Sequence, residues 1–353
     1  MWQSLGRELL ERSSNKGNHS KKKDLTSMGK ITLDSNHILH RSGGSQNTSA
    51  YMQNHLCYIG QELVFSEGSA AIKRLLLIDI NPKSIERNCH YYGSLLETQQ
   101  QQAITLGAGK QLIKIPEMHY VMLDGGMVFT REEGWKEMKL GRVFKGADII
   151  TVNKNRHEIT NSQYVAHLGS HHLFLEKLEH ELLPITNKTI IADGATWIWN
   201  WANASYPEAT QILDFYHAKE HLCDYAQVQF KEQAEKHKWI DEQCLLLLND
   251  KVSDVIQNIK EQKTITKTKQ QKQSLLTYYT NNSKRMKYKT YRDEGLLIGS
   301  GPIESAHRNV IQKRMKLSGQ RWTIEGAQQL ANLRVLNKSN QWGSLEKLIK
   351  MAA

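Results

Sequence analysis

The chain has 353 residues, more than one average domain, which predicts two or three folded units. Hydrophobic residues make up 39% of it, enough for a packed core, and no apolar run reaches the length of about 18 residues that a membrane span needs. The formal net charge is +11, and residues 251–350 hold 20 lysines and arginines against 7 acids. A basic half of this kind indicates a nucleic-acid partner, although a lysine-rich soluble surface has the same composition.

The cysteines are scattered and form no C-x-x-C pair, which favours a reducing compartment and disfavours a disulfide framework or a cysteine zinc site. They are Cys57, Cys89, Cys223 and Cys244. The first residues lack the apolar stretch of a secretory signal, so we expect a cytoplasmic protein.

The N-terminal region divides by composition. Residues 1–55 are rich in Ser, Asn, Lys and Gly and predict a poorly ordered basic tail. Residues 56–105 predict two helices separated by Asn81-Pro82, with Ser66 and Ser84 as helix caps. The apolar face of the first would contain Ile72, Leu75 and Leu76.

Two helices around a tight connection fit a small helix-turn-helix-like region. Its second helix would present Arg87, Asn88 and His90 to DNA. A plain helical hairpin packed on the next domain is the alternative.

From residue 111 the pattern changes to strands. The segment HYVMLDGGMVFT predicts strand, Asp-Gly-Gly, strand, and KLGRVFKGADIITVN adds a third extended run. An amphipathic helix over 170–183, a buried strand over 189–194, another helix and a strand over 210–217 follow. This order is typical of an α/β ribonuclease H-like core, here residues 111–217 and 295–345. The helical, charged residues 218–294 would be an all-α insertion before the last core helix.

Three acids fall where such a core brings its elements together. Asp124 and Asp193 each end an apolar run, and Glu304 begins the last helix. Three carboxylates at one sheet edge can hold two Mg²⁺ or Mn²⁺ ions, because hard cations prefer oxygen ligands. Each Asp-Gly pair, taken alone, is equally a hairpin-turn signal.

The stretch Gly299–Trp322 predicts a basic helix that starts near Ser300 and breaks at Gly319. Its candidate DNA-contacting residues are Arg308, Lys313, Arg314, Lys316, Arg321 and Trp322. The alternative is a solvated amphipathic helix in which Glu304 only complements the helix dipole.

The motifs LDGG, ADG and DFYH, and then GSGPIES followed by HRNVIQKRMK, resemble those of DDE transposases of bacterial insertion sequences. Within these, the chain is similar to the Mutator-like group, which has a C/D-x-x-H signature after the second aspartate. The resemblance covers roughly residues 60–345. It implies that Asp124, Asp193 and Glu304 are the catalytic triad, and that Asp214 and His217 are the C/D-x-x-H pair, which would orient DNA or the metal ligands. The paired cysteines of a metal-binding ribbon found in some relatives are missing, since only Cys57 lies in that region.

The resemblance further implies double-stranded DNA as partner, both element ends and target, a homo-oligomer, and a nucleoid-associated bacterial protein. It predicts an enzyme that cleaves and joins DNA strands by two-metal chemistry. The alternatives are a metal-dependent nuclease that does not join strands, and a DNA-binding protein that has lost catalysis.

Overall fold

The computed structural model describes residues 21–26, 29–34, 48–107, 114–153, 156–263 and 268–352. The chain forms two compact units. The first unit comprises residues 1–102 and 317–353, and the second unit comprises residues 103–316. Among the described helices, none has the length and apolar character needed to cross a membrane.

The elements of the described chain follow in order. The strands are β1 (Lys21–Thr26), β2 (Gly29–Asp34), β3 (His119–Thr130), β4 (Gly134–Lys145), β5 (Ile149–Asn153), β6 (Arg156–Ile159), β7 (Gln163–Leu168), β8 (Lys188–Ala192) and β9 (Thr210–Leu213). The helices are α1 (Ala50–Glu62), α2 (Phe65–Leu76), α3 (Pro82–Thr105), α4 (His171–Leu182), α5 (Thr196–Ser205), α6 (Phe215–Gln229), α7 (Gln233–Leu247), α8 (Val252–Glu261), α9 (Lys269–Asn282), α10 (Tyr288–Asp293), α11 (Gly301–Ala306), α12 (Lys313–Met315), α13 (Ile324–Lys338) and α14 (Trp342–Ala352).

The N-terminal region contains more regular structure than the expected tail. Strands β1 and β2 pair as an antiparallel hairpin, and α1 begins at Ala50. The remainder of the predicted tail, residues 1–20, 27–28 and 35–47, lies outside the described residues.

Helices α2 and α3 exist as predicted, but their starts differ. Helix α2 begins at Phe65 without a side-chain cap, and α3 begins at Pro82. The Asn81 side chain accepts a hydrogen bond from the Lys83 amide at 2.9 Å, so Asn81 rather than Ser84 caps α3. Of the predicted apolar face only Ile72 is buried, since Leu75 is 75% exposed.

The C-terminal helices pack with the N-terminal ones inside the first unit. A Cβ on Gly93 of α3 would lie 2.3 Å from the Gln329 carbonyl oxygen of α13, and the Asn332 side chain donates to the Gly93 carbonyl at 3.0 Å. The guanidinium of Arg334 is fully buried and donates to the Gln61 carbonyl. Residues 317–345 were predicted as part of the core, and these contacts join them to α1 and α3 instead.

The second unit is built on a mixed sheet of five strands in the order β7-β4-β3-β8-β9. Strands β3, β8 and β9 run parallel, and β4 pairs antiparallel with both β3 and β7. Helix α4 packs on one face of the sheet, where Phe174 and Leu178 come within 3.3 Å of the position that a Cβ on Gly141 would take.

The Asp124-Gly125-Gly126 segment is not a turn. It lies inside one uninterrupted strand, because β3 pairs with β4 at every residue from His119↔Lys145 to Thr130↔Gly134. The chain reverses at residues 131–133, and Gly134 has the positive φ of +72° that this turn requires. The predicted division into two strands is therefore wrong.

After β9 the chain forms the helices α6 to α10, in the region predicted as an all-α insertion. It returns to the sheet through α11, a π-helical turn (His307–Gln312) and α12. A mixed α/β fold with this central sheet is compatible with the expected ribonuclease H-like core.

Candidate functional site

Three aspartates occupy one level of the sheet, at the carboxyl ends of its parallel strands. The last residue pair between β3 and β8 is Met122↔Ile191, and Asp124 and Asp193 each lie two residues further. The last pair between β8 and β9 is Ala192↔Leu213, and the next residues are Asp193 and Asp214. Because side chains at one level of parallel strands point to the same face, the register itself groups these acids.

Glu304 comes to this edge on α11. The guanidinium of Arg142, on β4, donates to the Pro302 carbonyl at 2.8 Å and so fixes α11 against the sheet. Ser300 begins the helix, as predicted, but its hydroxyl lies 3.3 Å from Glu304 Oε1 and makes no cap bond. The carboxylate of Glu304 is solvent-exposed.

Asp214 is fully buried and joins three segments of the site. Its Oδ1 accepts the amides of Tyr216 and His217, so it caps α6, and its Oδ2 accepts the Ser300 amide. Burial by itself raises the pKa of Asp214, but the hydrogen bonds from His217 and Ser300 outweigh it and lower the pKa. The carboxylate therefore stays ionised and ties the start of α6 to the start of α11.

His217 lies against this carboxylate, with Nδ1 at 3.5 Å from Asp214 Oδ2. The hydrogen bond to Asp214 raises the pKa of His217 to about 9, with further contributions from the charges of Asp214, Asp193 and Glu220. The imidazole is therefore protonated at neutral pH and places a positive charge at the edge of the sheet.

Asp124 is a carboxylate with too little positive charge around it. Burial raises its pKa, and the nearby Asp193 raises it further. His307, the Gly125 amide at 2.8 Å and His217 oppose this effect but do not cancel it. A bound cation would relieve the repulsion between these carboxylates, so the donor set at this edge fits a divalent metal ion.

His307 begins the π-helical turn and is 2% exposed. Its ring lies directly on β3, where a Cβ on Gly126 would be 2.3 Å from His307 Cε1. Burial lowers the pKa of His307, although the Asp124 carboxylate acts in the opposite direction. Burial therefore favours the neutral form of the ring.

The glycines beside the acids allow close approach of side chains. A Cβ added to Gly125 would lie 2.0 Å from Glu137 Oε1. A Cβ on Gly194 would lie 2.2 Å from Tyr278 Cε2, and one on Gly299 would lie 2.7 Å from Tyr216 Cε2. None of these glycines has a positive φ. The Asp-Gly pairs of this chain are therefore packing features rather than hairpin signals.

Within the described chain, the ligand atoms of Asp214, His217 and Glu304 lie within 4.8 Å of one another, and this group could hold a metal ion. The group contains one member of the predicted triad and both members of the predicted C/D-x-x-H pair. However, both Asp214 oxygens already accept hydrogen bonds. The Asp124 side chain accepts a hydrogen bond from the Gly125 amide, and the Asp193 side chain accepts one from the Ala195 amide.

A cavity of about 390 Å³ opens in front of this group. It is lined by Tyr216, His217, Lys219, Glu220, Cys223 and Glu304.

The predicted DNA-contacting residues differ in exposure. Arg87, Arg308, Lys313, Lys316 and Arg321 are exposed. Arg314 is 1% exposed and Trp322 is 8% exposed, with the Trp322 ring packed edge-on against Phe65. Of the three residues predicted for the second N-terminal helix, Arg87 is exposed, His90 is half-buried and Asn88 is buried.

Sequence reasoning missed three residues that shape the site: Arg142, Tyr278 and His307. Only His307 had a signal in the sequence, since it lies one helical turn after Glu304. Arg142 and Tyr278 reach the site through tertiary packing, from β4 and from the helical insertion.

No protein-family model matches the chain, and no curated protein is significantly similar to it in sequence.

Proposed function

We propose that the protein is a DNA transposase that cleaves and joins DNA strands at the ends of its own element. The observation that carries this proposal is the shared level of Asp124 and Asp193 on adjacent parallel strands, with Glu304 brought to the same edge by α11. The sheet order and the following helices support a ribonuclease H-like core of this enzyme class.

In this proposal Asp124, Asp193 and Glu304 hold two Mg²⁺ or Mn²⁺ ions. When bound, the metal ions lower the pKa of the attacking water or 3′-hydroxyl and stabilise the leaving oxygen of the phosphodiester. Oxygen donors favour these hard cations over zinc.

The other residues position the substrate. The imidazolium of His217, held by Asp214, donates a hydrogen bond to a phosphate oxygen of the bound strand. Arg308, Lys313 and Lys316 are exposed on the segment that follows Glu304 and bind the DNA backbone. Arg314 is buried and is not part of this surface.

A strand-joining assay tests the proposal. Purified protein is incubated in Mg²⁺ with a pre-cleaved element end, which exposes a 3′-hydroxyl, and with a supercoiled target plasmid. We expect a covalent end-to-plasmid product that requires the 3′-hydroxyl. Cleavage of intact ends without any joined product would identify a nuclease instead, and neither activity in Mg²⁺ or Mn²⁺ would identify a DNA-binding protein that has lost catalysis.

A further inference from the structure

A second cavity, of about 620 Å³, lies beside the carboxylates, between α5 and α9. This volume is typical of a site for a small organic group. Gly194, the residue after Asp193, forms part of its lining, and the nearby Trp199 Nε1 donates to the Asp193 carbonyl at 2.8 Å. The cavity therefore adjoins the proposed catalytic edge through Gly194 and the hydrogen bond between Trp199 and Asp193.

The cavity is lined by uncharged hydrogen-bonding groups and one cation. Its lining residues are Gly194, Thr196, Trp199, Asn200, Asn203, Gln273, Ser274, Thr277, Tyr278, Asn281, Asn282 and Arg285. Carboxamides offer both donors and acceptors, the combination that pairs with the edges of nucleobases. None of the described residues that line the cavity carries a carboxylate that would repel a phosphate.

Arg285 has only neutral partners. Its Nε donates to Gln211 Oε1 at 2.8 Å, its Nη2 lies 3.4 Å from Asn203 Oδ1, and its guanidinium stacks at 4.4 Å over the Trp199 ring. No ion pair in the described chain involves it. Burial lowers the pKa of Arg285, but a guanidinium remains charged at neutral pH. An arginine held in place without a carboxylate favours a phosphate group.

The shape of the cavity selects an unpaired nucleotide. A base in a duplex has its Watson–Crick edge occupied and cannot enter a recess between two helices. The Trp199 ring is 4% exposed and supports the stacked arginine, so the carboxamides rather than this indole would contact the base.

We propose that this cavity is a nucleotide subsite, which takes one unpaired nucleotide of the DNA strand next to the cleaved phosphate. The phosphate binds Arg285, and the base contacts the carboxamides of α5 and α9. This inference rests on the proposed function, since it makes DNA the ligand.

The test compares DNA binding with and without an unpaired nucleotide. Full-length protein is titrated in Ca²⁺ against a labelled blunt duplex and against the same duplex with a short single-stranded extension. Arg285→Gln removes the cation, and Ser274→Trp fills the cavity from an exposed position on α9. Gln271→Trp is the matched control, because Gln271 is exposed on the same helix but does not line the cavity.

We expect the parent and Gln271→Trp to prefer the extended duplex by about tenfold, a typical effect of hydrogen bonds to one base edge. Arg285→Gln and Ser274→Trp should lose this preference while their affinity for the blunt duplex stays unchanged. If Arg285→Gln does not fold, the DNA preference of Ser274→Trp alone tests the subsite. No preference in the parent, or a preference retained in Ser274→Trp, would overturn the subsite. This assay needs no cleavage, so failure of the subsite leaves strand joining intact, whereas failure of the proposed function appears in the joining assay.

Discussion

His217 Nδ1 lies 3.5 Å from Asp214 Oδ2, and the same carboxylate caps the helix that carries His217. The cap of α6 and the acidic member of the C/D-x-x-H pair implied by the resemblance are thus the same side chain. Asp214 holds the backbone of α6 and α11, and His217 is the member of the pair that faces the open cavity beside Glu304.

His217→Ala should slow strand cleavage about 10- to 100-fold, the usual effect of losing a group that orients a metal site or its substrate. The variant should stay folded, because the Asp214 oxygens keep their three backbone donors, but its stability should fall because the imidazolium that Asp214 stabilises is lost. Cleavage rates and thermal unfolding of the variant are compared with those of His237→Ala, a change at an exposed histidine of α7. Cleavage at the parental rate would leave Asp214 as a helix cap and remove His217 from the mechanism.

Gly194→Ala should destabilise the second unit by about 1–3 kcal/mol, as overpacking of a filled site does. The new Cβ would lie 2.2 Å from Tyr278 Cε2, and that ring is itself stacked on His221 at 3.9 Å. Chemical denaturation measures the effect, and Tyr278→Leu in the same chain should restore part of the loss. Gly343→Ala is the control, since its Cβ meets nothing within 4 Å. Equal stability of the two alanine variants would contradict the packing role of Gly194.

Replacing Arg308, Lys313 and Lys316 together by glutamine should flatten the dependence of log affinity on log salt by up to about 0.9 per lost phosphate contact. Arg314 is excluded from the set, because it is buried and its loss would disturb folding. Non-specific duplex binding is measured over a range of salt concentrations. The control replaces Lys231, Lys238 and Lys251, three exposed lysines of the helical insertion. If both triple variants have the same slope of log affinity against log salt, the segment after Glu304 does not contact the DNA backbone.

Glu62→Gln should lower the free energy of unfolding by about 1–3 kcal/mol at pH 7, the cost of losing hydrogen bonds to charged partners. Burial by itself raises the pKa of Glu62, but Lys338 at 2.7 Å and the buried Arg334 outweigh it and hold the pKa below its ordinary value of 4.5. Because the folded pKa is the lower one, the stabilisation is present above pH 4.5 and is lost as the pH falls through the folded pKa.

Denaturation curves at neutral and acidic pH test this dependence. The difference between parent and Glu62→Gln should shrink at acidic pH, whereas Glu67→Gln, a change at an exposed acid of α2, should differ little at either pH. A difference that is constant with pH would show that charge on Glu62 does not stabilise the first unit.

The alternation of helices and strands over residues 170–217 was predictable because strand and helix periodicity are local properties of the sequence, whereas β6 and β7 were not predicted. Asp124 was expected to end a strand, but it lies inside β3, two residues past the last pair with β8, and this register places it at the level of Asp193. The role of the glycines beside them could not be predicted. It depends on His307 and Tyr278, which approach from distant elements.

Tertiary packing also explains the other differences. The stretch around Arg314 has the composition of an exposed basic helix, yet this side chain is buried. Residues 317–345 follow the core in sequence, but α13 fits closely against Gly93 of α3 because glycine leaves room for its backbone. Neither contact has a local sequence pattern that would reveal it.

The central claim is that Asp124, Asp193 and Glu304 form one metal-binding catalytic site, and Glu304→Gln tests it most directly. The substitution keeps the shape of the side chain on an exposed helix position and removes one negative charge. Glu220→Gln is the matched control, because Glu220 is an exposed acid that lines the same cavity. The measurement is cleavage of end-containing DNA in Mg²⁺, with a parallel titration of DNA affinity for each protein. We expect Glu304→Gln to lose cleavage by orders of magnitude while its DNA affinity holds or rises, and Glu220→Gln to cleave at close to the parental rate. Cleavage by Glu304→Gln at the rate of the parent would contradict the claim.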